Sequence, residues 1–231
     1  MAIWIAGTGT DVGKTIFSTL VMIKYAREYS LFYWKPVQAG EEEKDLETIR
    51  NLSSLPDLYF IKELYTLQKP ASPHLSAELE GKFISKETIL SACEIHKKSN
   101  VLVEMAGGLM VPLNRSCLFL DIIEEIKEPL ILLADPGLGT INHSLLSIET
   151  LRKRNIPVIG FFFSGKYSPL MEDNAEVIET FSSVPFLGSA CLPEDFSPQS
   201  LYTFAENEFD KDKKLIEVLK NYLSNGQGFS Q

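Results

Sequence analysis

Apolar and polar positions along the chain change period repeatedly, from short continuous apolar runs to stretches with one apolar face. Residues 2–6, 31–34, 100–103, 129–134, 157–163 and 186–189 are apolar runs of strand length, rich in β-branched and aromatic side chains. Residues 15–29, 45–52, 86–98, 141–154, 171–182 and 212–223 carry the three-to-four spacing of helices. Strands with no polar face are buried on both sides. Their alternation with helices predicts an α/β fold, a mostly parallel sheet covered by helices on both faces. No internal repeat or compositional break divides the pattern. Residues 1–225 are therefore expected to form one domain, and the Gly/Ser/Gln-rich residues 226–231 a disordered tail.

In an open parallel sheet, ligands collect at the carboxyl ends of the strands. Lys35, Glu104 and Asp135 each directly follow an apolar run. The first strand runs into Gly7-Thr8-Gly9-Thr10-Asp11-Val12-Gly13-Lys14-Thr15. A strand, a glycine-rich loop and a helix opening on Gly-Lys-Thr predict a phosphate cradle of P-loop NTPase type. Loop N–H groups would face phosphate oxygens, Lys14 would reach the β- and γ-phosphates, and the Thr15 hydroxyl would take a Mg²⁺ position. The loop is a variant, because five residues separate Gly7 from Gly13, one more than usual, and Thr8 stands where the strict pattern needs glycine.

A carboxylate at the tip of a buried strand beside such a loop, as Glu104 is expected to be, can hold Mg²⁺ directly or through water. It can also simply cap a neighbouring helix. The Gly107-Gly108 pair after it lets a substrate approach the backbone. Lys35 precedes a proline that keeps it extended, and a lysine there can neutralise a transferring phosphoryl group or a carbamate, or face solvent. The run Glu41-Glu42-Glu43-Lys44-Asp45 complements a helix dipole, so a solvated face is the default, with one acid able to turn inward to a metal. Asp135 is a rival metal ligand, ranked below Glu104. His74 reads as an anchor in a proline-broken loop and His96 as exposed. His143 lies at a helix start whose free N–H groups could bind a carboxylate.

The 231 residues, 45% of them hydrophobic, suffice for one large core. A net charge of −9 argues against nucleic acid as the main partner, though a nucleotide needs only a local positive site. Cys93, Cys117 and Cys191 lack zinc spacing and a disulfide framework, and are expected to be buried reduced thiols. No apolar stretch approaches the ~20 residues of a membrane helix. A phosphate loop starting at residue 7 leaves no room for a signal peptide before it, so a cytoplasmic protein without a membrane partner is expected.

Five segments together resemble the dethiobiotin synthetase family, ATP-dependent ring-closing enzymes of biotin biosynthesis. They are residues 7–15, Lys35-Pro36-Val37, Ala71-Ser72-Pro73-His74, Val103-Glu104-Met105-Ala106-Gly107-Gly108 and residues 136–143, and they fall in family order. The lengthened loop is itself a family feature. The resemblance implies a ligase that carboxylates 7,8-diaminononanoate with CO₂, phosphorylates the carbamate with ATP, and closes a cyclic urea with loss of phosphate. It implies that Lys14 and Lys35 neutralise phosphoryl and carbamate charge, and that Thr10 and Lys35 contact the carbamate. Nucleotide would be held by Gly9, Thr10, Asp11, Val12, Gly13, Lys14 and Thr15, with Ser164 and Glu194 on the base side. Substrate would meet Lys35, Ala39, Ser72, Gly107, Gly108, Thr140 and Asn142. Mg²⁺ would sit on Thr15, Asp45 and Glu104. The helix start at residues 139–143 would take the substrate carboxylate across a homodimer interface.

Three positions depart from the family pattern. Ala39 stands where a Ser or Thr hydroxyl is common, Met105 replaces the usual glycine, and Ser164-Gly165 replaces an adenine-reading Asn-Asp. The last departure predicts weak base discrimination, with Glu194 and Asp195 as further base-side candidates. The alternative reading is a partition- or positioning-type ATPase acting through nucleotide-dependent dimerisation. That group normally carries an extra lysine near the start of the loop, where this chain has Thr8, Gly9 and Thr10, and a membrane helix or basic face that this sequence lacks. A third reading, a regulatory module that binds nucleotide without turnover, fits poorly with intact Lys14, Thr15 and Glu104.

Overall fold

Hydrophobic side chains on the central strands alternate between two separate cores. Trp4, Ala6, Val101, Val103, Leu130, Leu132, Phe161 and Phe163 lie in one, and Ile3, Ile5, Leu102, Ile131, Leu133 and Phe162 in the other. That period of two is a sheet buried on both faces. The computed structural model describes residues 2–40, 44–191 and 195–223. Glu41–Glu43, Glu194 and the expected tail lie outside them.

Chain order runs β1 (Ala2–Gly7), α1 (Lys14–Tyr29), β2 (Leu31–Trp34), β3 (Val37–Ala39), α2 (Asp45–Ser53), β4 (Phe60–Ile61), β5 (Tyr65–Leu67), α3 (Pro73–Leu79) and α4 (Lys86–His96). It continues with β6 (Asn100–Gly108), β7 (Pro112–Asn114), β8 (Cys117–Leu118), α5 (Phe119–Ile126), β9 (Leu130–Ala134), α6 (Thr140–Lys153), β10 (Val158–Gly165), α7 (Met171–Ser182), β11 (Phe186–Cys191), α8 (Pro198–Asn207) and α9 (Lys214–Lys220). The seven-stranded sheet has order β11-β10-β9-β1-β6-β2-β4, and its pairs are parallel. Buried residues of α1, α2, α8 and α9 cover one face; those of α3 to α7 cover the other. β1 is central, so the loop after it opens at the middle of the carboxyl edge.

The α/β layering is as expected, with local corrections. The expected strand 100–103 continues to Gly108, because Met105 and Ala106 stay buried and Gly108 pairs with Gly7 past a register shift. Glu104 is therefore inside a strand, not at its tip. Pro73 does not break a loop: it opens α3 at N1, where its missing N–H costs nothing. Helices α3, α5 and α8 and the short strands β3, β4 and β5 were not legible from periodicity. The terminal helix is shorter than residues 212–223. It starts at Lys214, where Leu215 N–H and Ile216 N–H each donate to the Asp210 carboxylate at 2.9 Å. Among the described residues no helix is long and apolar enough to cross a membrane.

Candidate active site

The phosphate loop follows from two close packings. A Cβ on Gly7 would fall 2.7 Å from the Gly9 carbonyl oxygen and from Val12 Cγ2, so the chain can turn out of β1 only with glycine there. Gly13, at φ +78°, is the N-cap of α1 in the left-handed region glycine favours. Lys14 is buried, with its ammonium donating to the Gly9 carbonyl at 3.1 Å. Burial pulls its pKa below the ordinary lysine value, helped by the charge of Lys35 and opposed by Glu104 and Asp45. A buried cation held by one carbonyl is a ready acceptor of phosphate charge.

Period two also builds the acid–lysine cluster. Leu31 and Tyr33 face α1, and Lys35 extends that face; on β6, Leu102 and Glu104 do the same. Glu104 is fully buried. Ser18 of α1 donates to its Oε2 at 2.7 Å and the Tyr33 hydroxyl to the same oxygen at 3.2 Å. Thr15 Oγ1 lies 3.3 Å from Oε1, and the Lys35 ammonium 3.4 Å. Asp45, the first residue of α2, closes the group by accepting from both Thr15 and Lys35. Burial works against the Lys35 ammonium, but Glu104 and Asp45 outweigh it and its pKa is raised. Burial, then the charges of Glu104 and Asp45, hold the Tyr33 hydroxyl well above its ordinary value, so it acts as a neutral donor.

The donor set fits a hard divalent cation. Two carboxylates and one hydroxyl converge on one point at the mouth of the phosphate loop, and oxygen ligands with room for phosphate oxygens suit Mg²⁺. In this structure the Lys35 ammonium supplies the positive charge between the acids.

These groups form one end of a cleft of about 1000 Å³ that also includes Thr10, Asp11, Gly13, Ala39, Ser72 and Gly107. Gly108 lies outside its lining, paired with Gly7 and packed on Gly9. The sequence reading missed Gln38, which lines the cleft, and Ser18 and Tyr33, which hold Glu104. Their signal was positional: Ser18 is one helical turn after Lys14, and Tyr33 is two strand residues before Lys35.

Other candidates stand elsewhere. Thr140 and Asn142 begin α6, outside the cleft residues. Asp135, the rival metal ligand, is exposed and accepts from Gly137 N–H at 2.8 Å. Ser164 is buried and turned to Gly13, and Val12 is buried, leaving its backbone as its contribution to the loop. His96 is half-buried and packs on Trp34, rather than exposed. All three cysteines are free, with Cys117 buried and Cys93 and Cys191 half-buried.

Known proteins separate fold from family. Solved structures of a ParA-family ATPase from Chlorobium tepidum (TM-score 0.59, 10% identity, 94% of this chain and 97% of that one) and of pNOB8 ParA bound to nonspecific DNA (TM-score 0.62, 11% identity, 96% and 99%) share the fold. So does the Pyrococcus horikoshii septum site-determining protein MinD complexed with Mg-ADP (TM-score 0.53, 14% identity, 96% and 95%). At such identities the likeness is one of fold alone. A family profile described as an AAA domain matches residues 1–197. Similarity in sequence points in one direction. The ATP-dependent dethiobiotin synthetase BioD of Leptospira interrogans is 41% identical over 221 residues, 95% of this chain and 100% of that protein. The protein of the same name from Rhodopseudomonas palustris is 45% identical over 188 residues, 80% and 82%. Identity of that extent over most of the chain makes it a member of the ATP-dependent dethiobiotin synthetase family.

Proposed function

We propose that the protein forms dethiobiotin from 7,8-diaminononanoate, CO₂ and ATP, releasing ADP and phosphate. A carbamate is a poor electrophile until one of its oxygens becomes a phosphate leaving group. A site that brings a phosphate cradle and a second buried lysine to one point suits that activation. The observation that carries the reading is the convergence of Lys14, Thr15, Lys35, Asp45 and Glu104 at one end of the cleft.

In this reading Lys14 and the loop residues 9–15 bind the triphosphate, and Lys35 and Thr10 orient the carbamate against the γ-phosphate. Thr15, Asp45 and Glu104 would hold Mg²⁺, whose charge would neutralise the phosphoryl group as it transfers. Lys35, paired here with Asp45 and Glu104, would turn its ammonium to the carbamate charge. Ser72 and Gly107 wall the substrate tail. The start of α6 completes the site from a second copy: its N–H groups and the exposed Asn142 suit the substrate carboxylate, and Leu138, 97% exposed at its tip, suits an interface. The protein would then be a homodimer acting on small molecules, with residues 1–225 one domain.

The test is one assay. Purified protein with diaminononanoate, bicarbonate, Mg²⁺ and ATP should yield dethiobiotin and phosphate, and phosphate release should need both the diamine and CO₂. Fast hydrolysis without diamine, raised instead by DNA or lipid, would favour the partition-type reading.

A further inference from the structure

Ser164 lies on β10, next to its last residue. Alternation from Phe162 turns it toward α1, and it is 1% exposed. Its hydroxyl donates to the carbonyl of Gly13 at 3.2 Å, joining residues 151 positions apart. The same carbonyl accepts the first helical bond of α1, from Phe17 N–H at 2.9 Å. Both acceptor directions of one oxygen are therefore engaged, one by the helix and one by the sheet. There is no slack between the two residues, since a Cβ on Gly13 would lie 2.2 Å from Ser164 Oγ.

We propose that Ser164 is a positioning residue of the phosphate loop, tying the Gly13 peptide to β10 so that the Lys14 N–H points into the cleft. A peptide unit is planar, and its C=O and N–H point in opposite directions. Fixing the Gly13 carbonyl along α1 therefore fixes the following N–H outward, toward the phosphate site. An anion then meets a donor whose direction is already set, and binding does not have to order it. The hydroxyl is thereby committed to the loop backbone, and Gly165 beside it offers only backbone. This inference rests on reading residues 7–15 as a phosphate cradle and does not depend on the phosphoryl acceptor.

The experiment measures binding of Mg-ATP, Mg-UTP and Mg-tripolyphosphate to the whole protein by calorimetry, with no diamine or bicarbonate present. Temperatures are kept well below melting, and circular dichroism is recorded alongside. Ser164→Ala should weaken all three ligands by the same factor, about tenfold, because the Gly13 carbonyl keeps its helical bond but loses its tie to the sheet, which frees the loop. Ser164→Cys, which keeps the volume with a weaker donor, should fall between. A loss seen with ATP and absent with tripolyphosphate would make Ser164 a base reader and overturn the proposal. Unchanged affinity for all three ligands, even with a lowered melting temperature, would make the bond merely structural and also overturn it. Wild-type protein that binds none of them would instead overturn the reading of the loop, a different failure.

Discussion

The acid–lysine cluster and the start of α6 are built in opposite ways. At the cluster, β2, β6, α1 and α2 of one chain deliver Lys35, Glu104, Thr15 and Asp45 to a single point, with Ser18 and Tyr33 holding Glu104 from behind. At α6, Leu138, Asn142 and His143 are exposed, while the Thr140 and Ser144 hydroxyls are buried without a hydrogen-bond partner among the described residues. Buried charges last only when paired and hydrogen-bonded. The first region meets that condition alone and is preorganised before any ligand arrives. The second presents the exposed Leu138 outward, and in the proposed reading a second copy would complete it.

The largest effects should come from the self-contained region. Lys14→Gln and Glu104→Gln should each cut turnover by about 10²–10³-fold, the usual cost of removing one preorganised charge-stabilising group. Near wild-type turnover in either, with unchanged circular dichroism, would remove that residue from the site. Asp45→Asn should raise the Mg²⁺ concentration for half-maximal turnover about tenfold, because one charged ligand becomes neutral. If Glu43→Gln does so instead, the neighbouring acid run supplies the ligand.

Smaller effects belong to α6 and sharpen the contrast. Asn142→Ala should raise the KM for diaminononanoate about threefold and leave the KM for ATP unchanged, in keeping with the modest strength of a helix N-terminus for an anion. Leu138→Asp should shift sedimentation toward the monomer. A monomeric Leu138→Asp protein with full diamine affinity would show that one chain completes the site. The weakest effect is expected at the base. With Ser164 turned inward and Gly165 offering backbone, GTP, CTP and UTP should match ATP in kcat/KM within about tenfold, roughly 1.4 kcal/mol. A preference for ATP above about a hundredfold, twice that energy, would place base reading on other residues.

Local order was legible in the chain. Gly7 to Thr15 could be read because a strand, a turn only glycine permits and a helix start are all set by neighbours in sequence. The long strands and helices could be read because burial on a sheet or a helix imposes a period. Lys35 and Glu104 could be singled out because each follows an apolar run in the sequence, whereas Asp45 was named only by the family resemblance, since the acid run before α2 left its metal-facing member open. Short strands such as β3 and β4 were not legible, since two or three residues carry no period. Neither was α3, whose proline reads as a breaker unless the chain places it at N1.

Only the tertiary structure decided which groups meet. The parallel register of β2 on β6 sets Tyr33 and Lys35 beside Glu104, and the seating of α1 over that face adds Thr15 and Ser18. It also separated two residues that sequence placed in one nucleotide site: Thr10 lines the cleft, while Ser164 is turned beneath the loop. Sequence determines what each residue can do, because propensity and chemistry are local. Which partner a side chain finds depends on strand register and helix seating, and those are fixed by burial across the whole sheet.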